Sequence, residues 1–215
     1  MGPSPATSMT RPLALAALAA LVAGGARAQH DHGSGHAAGV HAEPHAVVEA
    51  FVVTGLRLDE ADPPPGSAVG RAGLRYADGG YVAVVYGRPY ARGRQVWGGL
   101  VGYDAVWTAG AHRATEVVTT VPLVVGGARL DPGAYSLFVT PRADGPWTLH
   151  VNRRLGMHLA DEDSSAEDAA TVEATPAAPA APAEGLTWAF ADDGSALTLT
   201  WADRAVSFPL SRADP

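Results

Sequence analysis

The chain has 215 residues, 47% of them hydrophobic, with 22 acidic against 15 cationic side chains and a formal net charge of −7. That balance argues against a nucleic-acid binder, which needs a basic face, and the absence of Cys excludes a disulfide framework, a thiol nucleophile and a lipid-modified Cys. Every cationic side chain is Arg and none is Lys, a bias that genomic composition explains better than function, although a guanidinium does favour planar contacts to carboxylates and phosphates.

From the N-terminus, Arg11, an apolar run from Leu13 to Ala23 and the small-residue site Ala26-Arg27-Ala28 have the form of an export leader. The run is short of the roughly 20 residues a bilayer-spanning helix needs. Residues 1–28 are therefore expected to be a cleaved signal peptide, and the mature chain to be periplasmic or extracellular with no membrane span. What remains suits one domain of up to ~200 residues, long enough to bury a core without disulfides.

Residues 29–46 hold five of the eight His, at His30, His32, His36, His41 and His45, among Gly, Ala and Ser. Little here can build a core, so the segment reads as a flexible arm. Spaced imidazoles on such an arm are candidate ligands for Cu(II), Zn(II) or Ni(II). The alternative is a solvated tail with incidental His.

From residue 47 onward the pattern is β. Val47, Val48, Phe51, Val52 and Val53 begin it, and a rigid turn follows at Asp62-Pro63-Pro64-Pro65-Gly66-Ser67. A weaker strand over 69–77 breaks at Asp78-Gly79-Gly80, and a stronger one runs from Tyr81 to Tyr86. Past residue 115, a two-residue period places Thr115, Val117 and Thr119 on one face. Short strands at 124–125 and 128–130 precede the turn Asp131-Pro132-Gly133. Tyr135, Leu137 and Val139 then share a face, as do Trp147, Leu149 and Val151, leaving Thr148, His150 and Asn152 opposite. An acidic loop over 161–168 lacks the ligand spacing of a calcium loop. A Pro/Ala-rich insertion over 175–182 reads as a surface crossing. Two hairpins end the chain, with Leu197, Leu199 and Trp201 facing one way, and Val206, Phe208 and Leu210 likewise. The prediction is all-β: an antiparallel β-sandwich or partly open barrel of roughly nine or ten strands, in a single domain over 47–215.

The stretch from Tyr86 to Thr115 stands out. It carries Trp97, Trp107, Tyr86, Tyr90, Tyr103, Arg88, Arg92, Arg94 and Arg113, interrupted by glycines and Pro89. Such a composition fits neither a plain helix nor a plain strand, and reads as a long loop on a β scaffold.

The run Tyr86-Gly87-Arg88-Pro89, then Arg92-Gly93-Arg94-Gln95-Val96-Trp97-Gly98-Gly99-Leu100-Val101, Tyr103, Val106-Trp107, Gly110-Ala111 and Ala114-Thr115, resembles a bacterial family of exported proteins known only as domain of unknown function 2911. Leu130-Asp131-Pro132-Gly133-Ala134-Tyr135-Ser136-Leu137, Pro141, Trp147, Asn152, Leu197-Thr198-Leu199-Thr200-Trp201, Val206 and Pro209 extend the resemblance over about residues 76–210. It implies export and a β-rich fold, and no reaction. Where the family reads Gly-Ala-Asn-Glu-Ala-Thr, this chain has Gly110-Ala111-His112-Arg113-Ala114-Thr115. Thr108 replaces the Arg after the second Trp, and Gly102 the Pro before Tyr103. Any chemistry that depends on the family's Asn and Glu is absent here.

Three functions compete. Arg88, Arg92, Arg94 and Arg113 are suited to a carboxylate, sulfate or phosphate, and Trp97, Tyr103, Trp107 and Tyr90 to stacking on a sugar or flat ring. Together with His112 they make a candidate site for a small polar or anionic ligand or a glycan. The structural alternative has the Arg side chains paired with Asp104 or Glu116 and the Trp residues filling the end of the sandwich. A hydrolase reading uses His112 as base, with Glu116 or Asp104 orienting it and Thr115 or Ser136 nearby. It has no nucleophile elbow, zinc motif or phosphate loop behind it. A metal site in the folded part requires His112, His150 and His158 to converge, which their spacing does not impose. The expectation is a non-catalytic binding domain, with metal binding by the arm as the alternative.

Overall fold

Alternating apolar residues bury one face of each strand, and two such faces make a core. The computed structural model describes residues 45–53, 66–157 and 165–214, all within one compact unit, His41–Pro215. The leader, His30, His32, His36, His41, His158 and residues 161–164 of the acidic loop lie outside the described residues. Among those described, twelve strands run in chain order: β1 (Val47–Val53), β2 (Ala68–Tyr76), β3 (Tyr81–Arg88), β4 (Thr115–Thr119), β5 (Leu123–Val125), β6 (Ala128–Leu130), β7 (Gly133–Thr140), β8 (Trp147–Asn152), β9 (Asp168–Ala174), β10 (Ala183–Phe190), β11 (Ala196–Ala202) and β12 (Arg204–Arg212). One 3₁₀ turn, Ser165–Glu167, precedes β9. No described helix is long and apolar enough to cross a membrane.

The strands form two open antiparallel sheets, ordered β1-β2-β3-β4-β7-β8-β9 and β10-β11-β12-β5-β6. This is the sandwich-like all-β arrangement expected, with twelve strands where roughly nine or ten were expected. The strand missed in sequence is β9, whose apolar residues are three Ala and a single Val. Its alternation still buries Ala170 and Val172.

The predicted faces hold. Leu137, Val139, Trp147, Leu149 and Val151 from the larger sheet meet Leu197, Leu199, Trp201, Val206 and Phe208 from the smaller one in a single core. On the second face of β7, Phe138 forms a separate small cluster with Ala114 and Met157. The Pro/Ala-rich segment crosses the surface and pairs once with β12, Ala177 exchanging two 2.8 Å backbone bonds with Ala205.

β4 is short and leaves part of β7 without a neighbour, while β10 is the outer strand of its sheet. The segment from Pro89 to Ala114 covers both edges. Ala91 N–H donates to Glu184 O and Leu186 N–H to Pro89 O, so the segment begins along β10. Trp107 and Val139 then exchange N–H···O bonds of 2.9 Å, placing its far end beside β7. Exposed strand edges invite pairing with other chains, and this loop removes two of them.

Candidate functional site

The loop is fastened by aromatic rings. Trp97, 5% exposed, lies edge-on to Trp147 of β8 at 4.5 Å and to Trp201 of β11 at 5.8 Å, so one ring touches both sheets. Trp107 lies 5.7 Å from Trp97 and stacks against Trp201 at 6.0 Å. Edge and offset contacts of this kind suit the ring quadrupoles. All five indole N–H groups donate to backbone carbonyls: Trp97 to Trp201, Trp107 to Gly110, Trp147 to Arg142, Trp188 to Ala109 and Trp201 to Glu184. Trp97 is therefore a buried support and not a ligand platform. Trp107 and Tyr103 stay partly exposed.

Arg88 also turns inward. At 4% exposure its Nε donates to Leu186 O and its Nη1 to Tyr90 Oη, while the guanidinium lies over the Tyr90 ring at 4.9 Å. It passes so close to Gly185 that a Cβ there would lie 2.5 Å from its central carbon. Arg88 braces the loop against β10 and leaves the set of ligand-binding candidates.

Arg92, Arg94, His112 and Arg113 face outward. Arg94 uses Nε and Nη2 to hold Ala91 O and Tyr90 O at 3.0 and 2.8 Å, leaving Nη1 without a partner among the described residues. Arg92 donates from Nη2 to Gly66 O at 2.8 Å. Neither Asp104 nor Glu116 pairs with these four side chains. Asp104 meets Arg142 at 3.4 Å, and Glu116 accepts the Gly156 N–H. The ion pairs of the structural alternative are thus not the ones present.

Two clefts meet at Arg94. The smaller, about 300 Å³, is walled by Pro89, Tyr90, Leu100, Trp107 and Trp201 and carries Arg92, Arg94 and His112. No Asp or Glu among the described residues lines it. The larger, about 580 Å³, has Gln95, Trp97, Tyr103, Glu184, Asp203 and Arg204 on its walls. Its charges partly neutralise one another, since Arg204 pairs with Asp203 at 2.7 Å. Arg92 and His112 hold left-handed backbone conformations, φ 51° and 70°, and Asp104 and Ala109 in the same loop do so too. Left-handed φ is costly for residues with a Cβ, and such residues gather where a site fixes its side chains.

A third cleft, about 280 Å³, holds Arg113 together with Ser67, His112 and Glu116. These last three are the residue types of a hydrolase, but no hydrogen bond joins them among the described residues. Thr115 donates its hydroxyl inward to Ala109 O, and Ser136 is fully buried. Among the described residues, neither Glu116 nor Asp104 makes the base-to-orienter bond that a hydrolase reading needs at His112. No group of three His, Cys, Asp or Glu among the described residues is placed to hold a metal. His45 lies 4.0 Å from Asp214, and His150 is engaged by Thr140 and Asp168, far along the chain from His112.

The inward turn of Trp97 and Arg88 was not visible in the sequence, where they are indistinguishable from their exposed neighbours. Tyr90, Leu100 and Trp201 complete the smaller cleft. Of these, Trp201 is contributed by β11 from more than ninety residues away, which spacing along the chain cannot reveal.

No curated protein and no solved structure matches the chain. Residues 72–210, from within β2 to within β12, match the model of a family described as protein of unknown function (DUF2911). The match takes in the whole loop and both of its supporting sheets apart from β1 and the ends of β2 and β12, and the chain belongs to that family.

Proposed function

We propose that this protein binds a small anion in the cleft formed by Arg92, Arg94 and His112, and that it does so without transforming it. One observation carries the reading: in a chain of net charge −7, this cleft gathers two guanidiniums and an imidazole and, among the described residues, no carboxylate. A concave wall of one sign focuses potential and raises the local concentration of the opposite charge. Arg94 Nη1, which has no partner among the described residues, is a donor for a charge-assisted bond, and Tyr90, Trp107 and Trp201 supply apolar walls for a ring or short chain. The leader-like N-terminus supports an exported protein that meets this ligand outside the cytoplasm.

The larger cleft supports a second reading, a glycan. There Gln95, Glu184, Asp203 and Arg204 offer donors and acceptors beside the partly exposed Tyr103, a mixture suited to sugar hydroxyls. Thermal-shift measurements with phosphate, sulfate, acetate and benzoate on one side, and neutral mono- and disaccharides on the other, separate the two. Stabilisation by an anion that is lost in Arg94→Ala and Trp107→Ala supports the first reading. A shift with neutral sugars alone replaces it by the second, and no shift with either class removes both.

A further inference from the structure

Beyond that binding reading, and independent of it, the second face of the larger sheet holds a hydrogen-bonded series of reactive groups. β7 and β8 send Leu137, Val139, Leu149 and Val151 into the core, so Thr140, Thr148, His150 and Asn152 project from the opposite face. There Thr140 Oγ1 lies 2.9 Å from His150 Nε2, and His150 Nδ1 lies 3.0 Å from Asp168 Oδ2. Asp168 Oδ1 accepts a 2.9 Å bond from Nδ2 of Asn152, which is fully buried and whose own Oδ1 accepts the Arg154 N–H.

An ionised Asp168 only accepts, so His150 donates to it from Nδ1. A neutral ring in that tautomer presents a lone pair at Nε2, to which the Thr140 hydroxyl donates. A hydroxyl bonded to an imidazole that is itself oriented by a carboxylate is the arrangement that activates an oxygen nucleophile. Other buried hydroxyls differ: Thr115 and Thr119 donate to backbone carbonyls. The His150 and Asp168 side chains are 16% and 10% exposed, sheltered from bulk water but reachable. Thr148 stands directly opposite Thr140 in the ladder, and its hydroxyl has no partner among the described residues. Directly opposed residues have Cβ atoms about 5 Å apart, so Thr148 is placed to donate to an oxyanion formed at Thr140.

We propose that Thr140 is the nucleophile of an acyl-transfer site, with His150 as general base and Asp168 as the carboxylate that orients it. Thr140 Oγ attacks the carbonyl carbon of an activated ester and passes its proton to His150 Nε2. The bond to the leaving oxygen breaks as that oxygen takes the proton, leaving acyl-Thr140. Water then gives a proton to His150 and attacks the acyl carbonyl. The carboxylic acid departs as Thr140 Oγ recovers its proton. Thr140 is only 9% exposed, so the acyl group it admits is acetyl-sized.

The chain suits a chemical test because it has no Lys to acylate in the background. The full chain is mixed with p-nitrophenyl acetate, p-nitrophenolate release is followed, and acetylated peptides are mapped by mass. The expected result is a burst approaching one equivalent with acetyl on Thr140. The burst slows at least about 100-fold in Thr140→Val and His150→Asn, in line with loss of a nucleophile or general base. It survives in Thr140→Ser and in Ser207→Ala, which removes an exposed hydroxyl elsewhere. Folding of each variant is checked by its thermal midpoint. If Thr140→Val fails to fold, Thr140→Ser and the position of the adduct decide. Wild type without acetyl on Thr140, or a burst undiminished in His150→Asn, overturns the assignment.

Discussion

His112 is held at φ 70° on the exposed side of the loop, where Ala111 N–H is tied to Gly87 O and Thr115 N–H to Thr108 O. A residue with a Cβ pays roughly 1–2 kcal/mol for left-handed backbone, and Gly does not. His112→Gly and His112→Ala remove the same imidazole from the cleft, so comparing them isolates the backbone. The Gly variant is expected to be the more stable by about 1 kcal/mol in denaturant unfolding, with anion affinity reduced equally in both. Equal stabilities would mean that the loop relaxes freely and does not pre-position the side chain. At this scale the sequence revealed which residue types gather at the loop, but not their directions. Arg88 and Arg94 lie six residues apart with the same chemistry, and only contacts with β10 send one inward and leave the other at the cleft.

Strand periodicity was the most legible feature. Where Val, Leu and aromatic residues alternate with polar ones, as in β8, β11 and β12, strand and buried face were both readable. Where the apolar positions are Ala, as in β9, the transfer free energy per residue is small and the pattern is faint. Cross-strand register lies deeper still. The series Thr140–His150–Asp168 exists because β7, β8 and β9 align as neighbours, with an irregularity beside Asn152, and no local pattern encodes that. β10 supplies a test at the scale of elements. Gly185 faces the Arg88 guanidinium, and a methyl there would have to displace it. Gly185→Ala should cost about 1–3 kcal/mol, as overpacking does, and should increase exposure of the loop to proteolysis. A neutral substitution would show that Arg88 is not what fixes the loop to β10.

On the scale of the whole molecule, the two sheets are joined by the core, by the Trp97 contacts and by one ionic fork. Arg212 at the end of β12 donates from both terminal nitrogens to Asp78, in the turn between β2 and β3, and lies 4.9 Å over the Tyr76 ring. The Arg212 hydrogen bonds hold the Asp78 carboxyl well below the usual carboxylate range, with the Gly80 N–H adding to the effect. A carboxyl with a lowered folded value contributes stability that is present above its unfolded value, about pH 4, and is lost as pH falls toward the folded one. The gap in thermal midpoint between wild type and Asp78→Asn should therefore be widest near neutrality and narrow in acid. A gap unchanged between pH 7 and pH 2 would contradict this.

Anion binding through Arg94, in a cleft lined by no carboxylate among the described residues, is open to measurement. Calorimetric titration of the full chain with phosphate, sulfate, acetate and benzoate, repeated on Arg94→Ala and Arg113→Ala, tests it most directly. Arg113 faces a different cleft and serves as the control. Saturable binding of at least one of these anions is expected, weakened by about 10-fold or more in Arg94→Ala, the loss expected for a charge-assisted hydrogen bond, and unchanged in Arg113→Ala. No saturable binding of any of the four, or equal losses in the two variants, would contradict it.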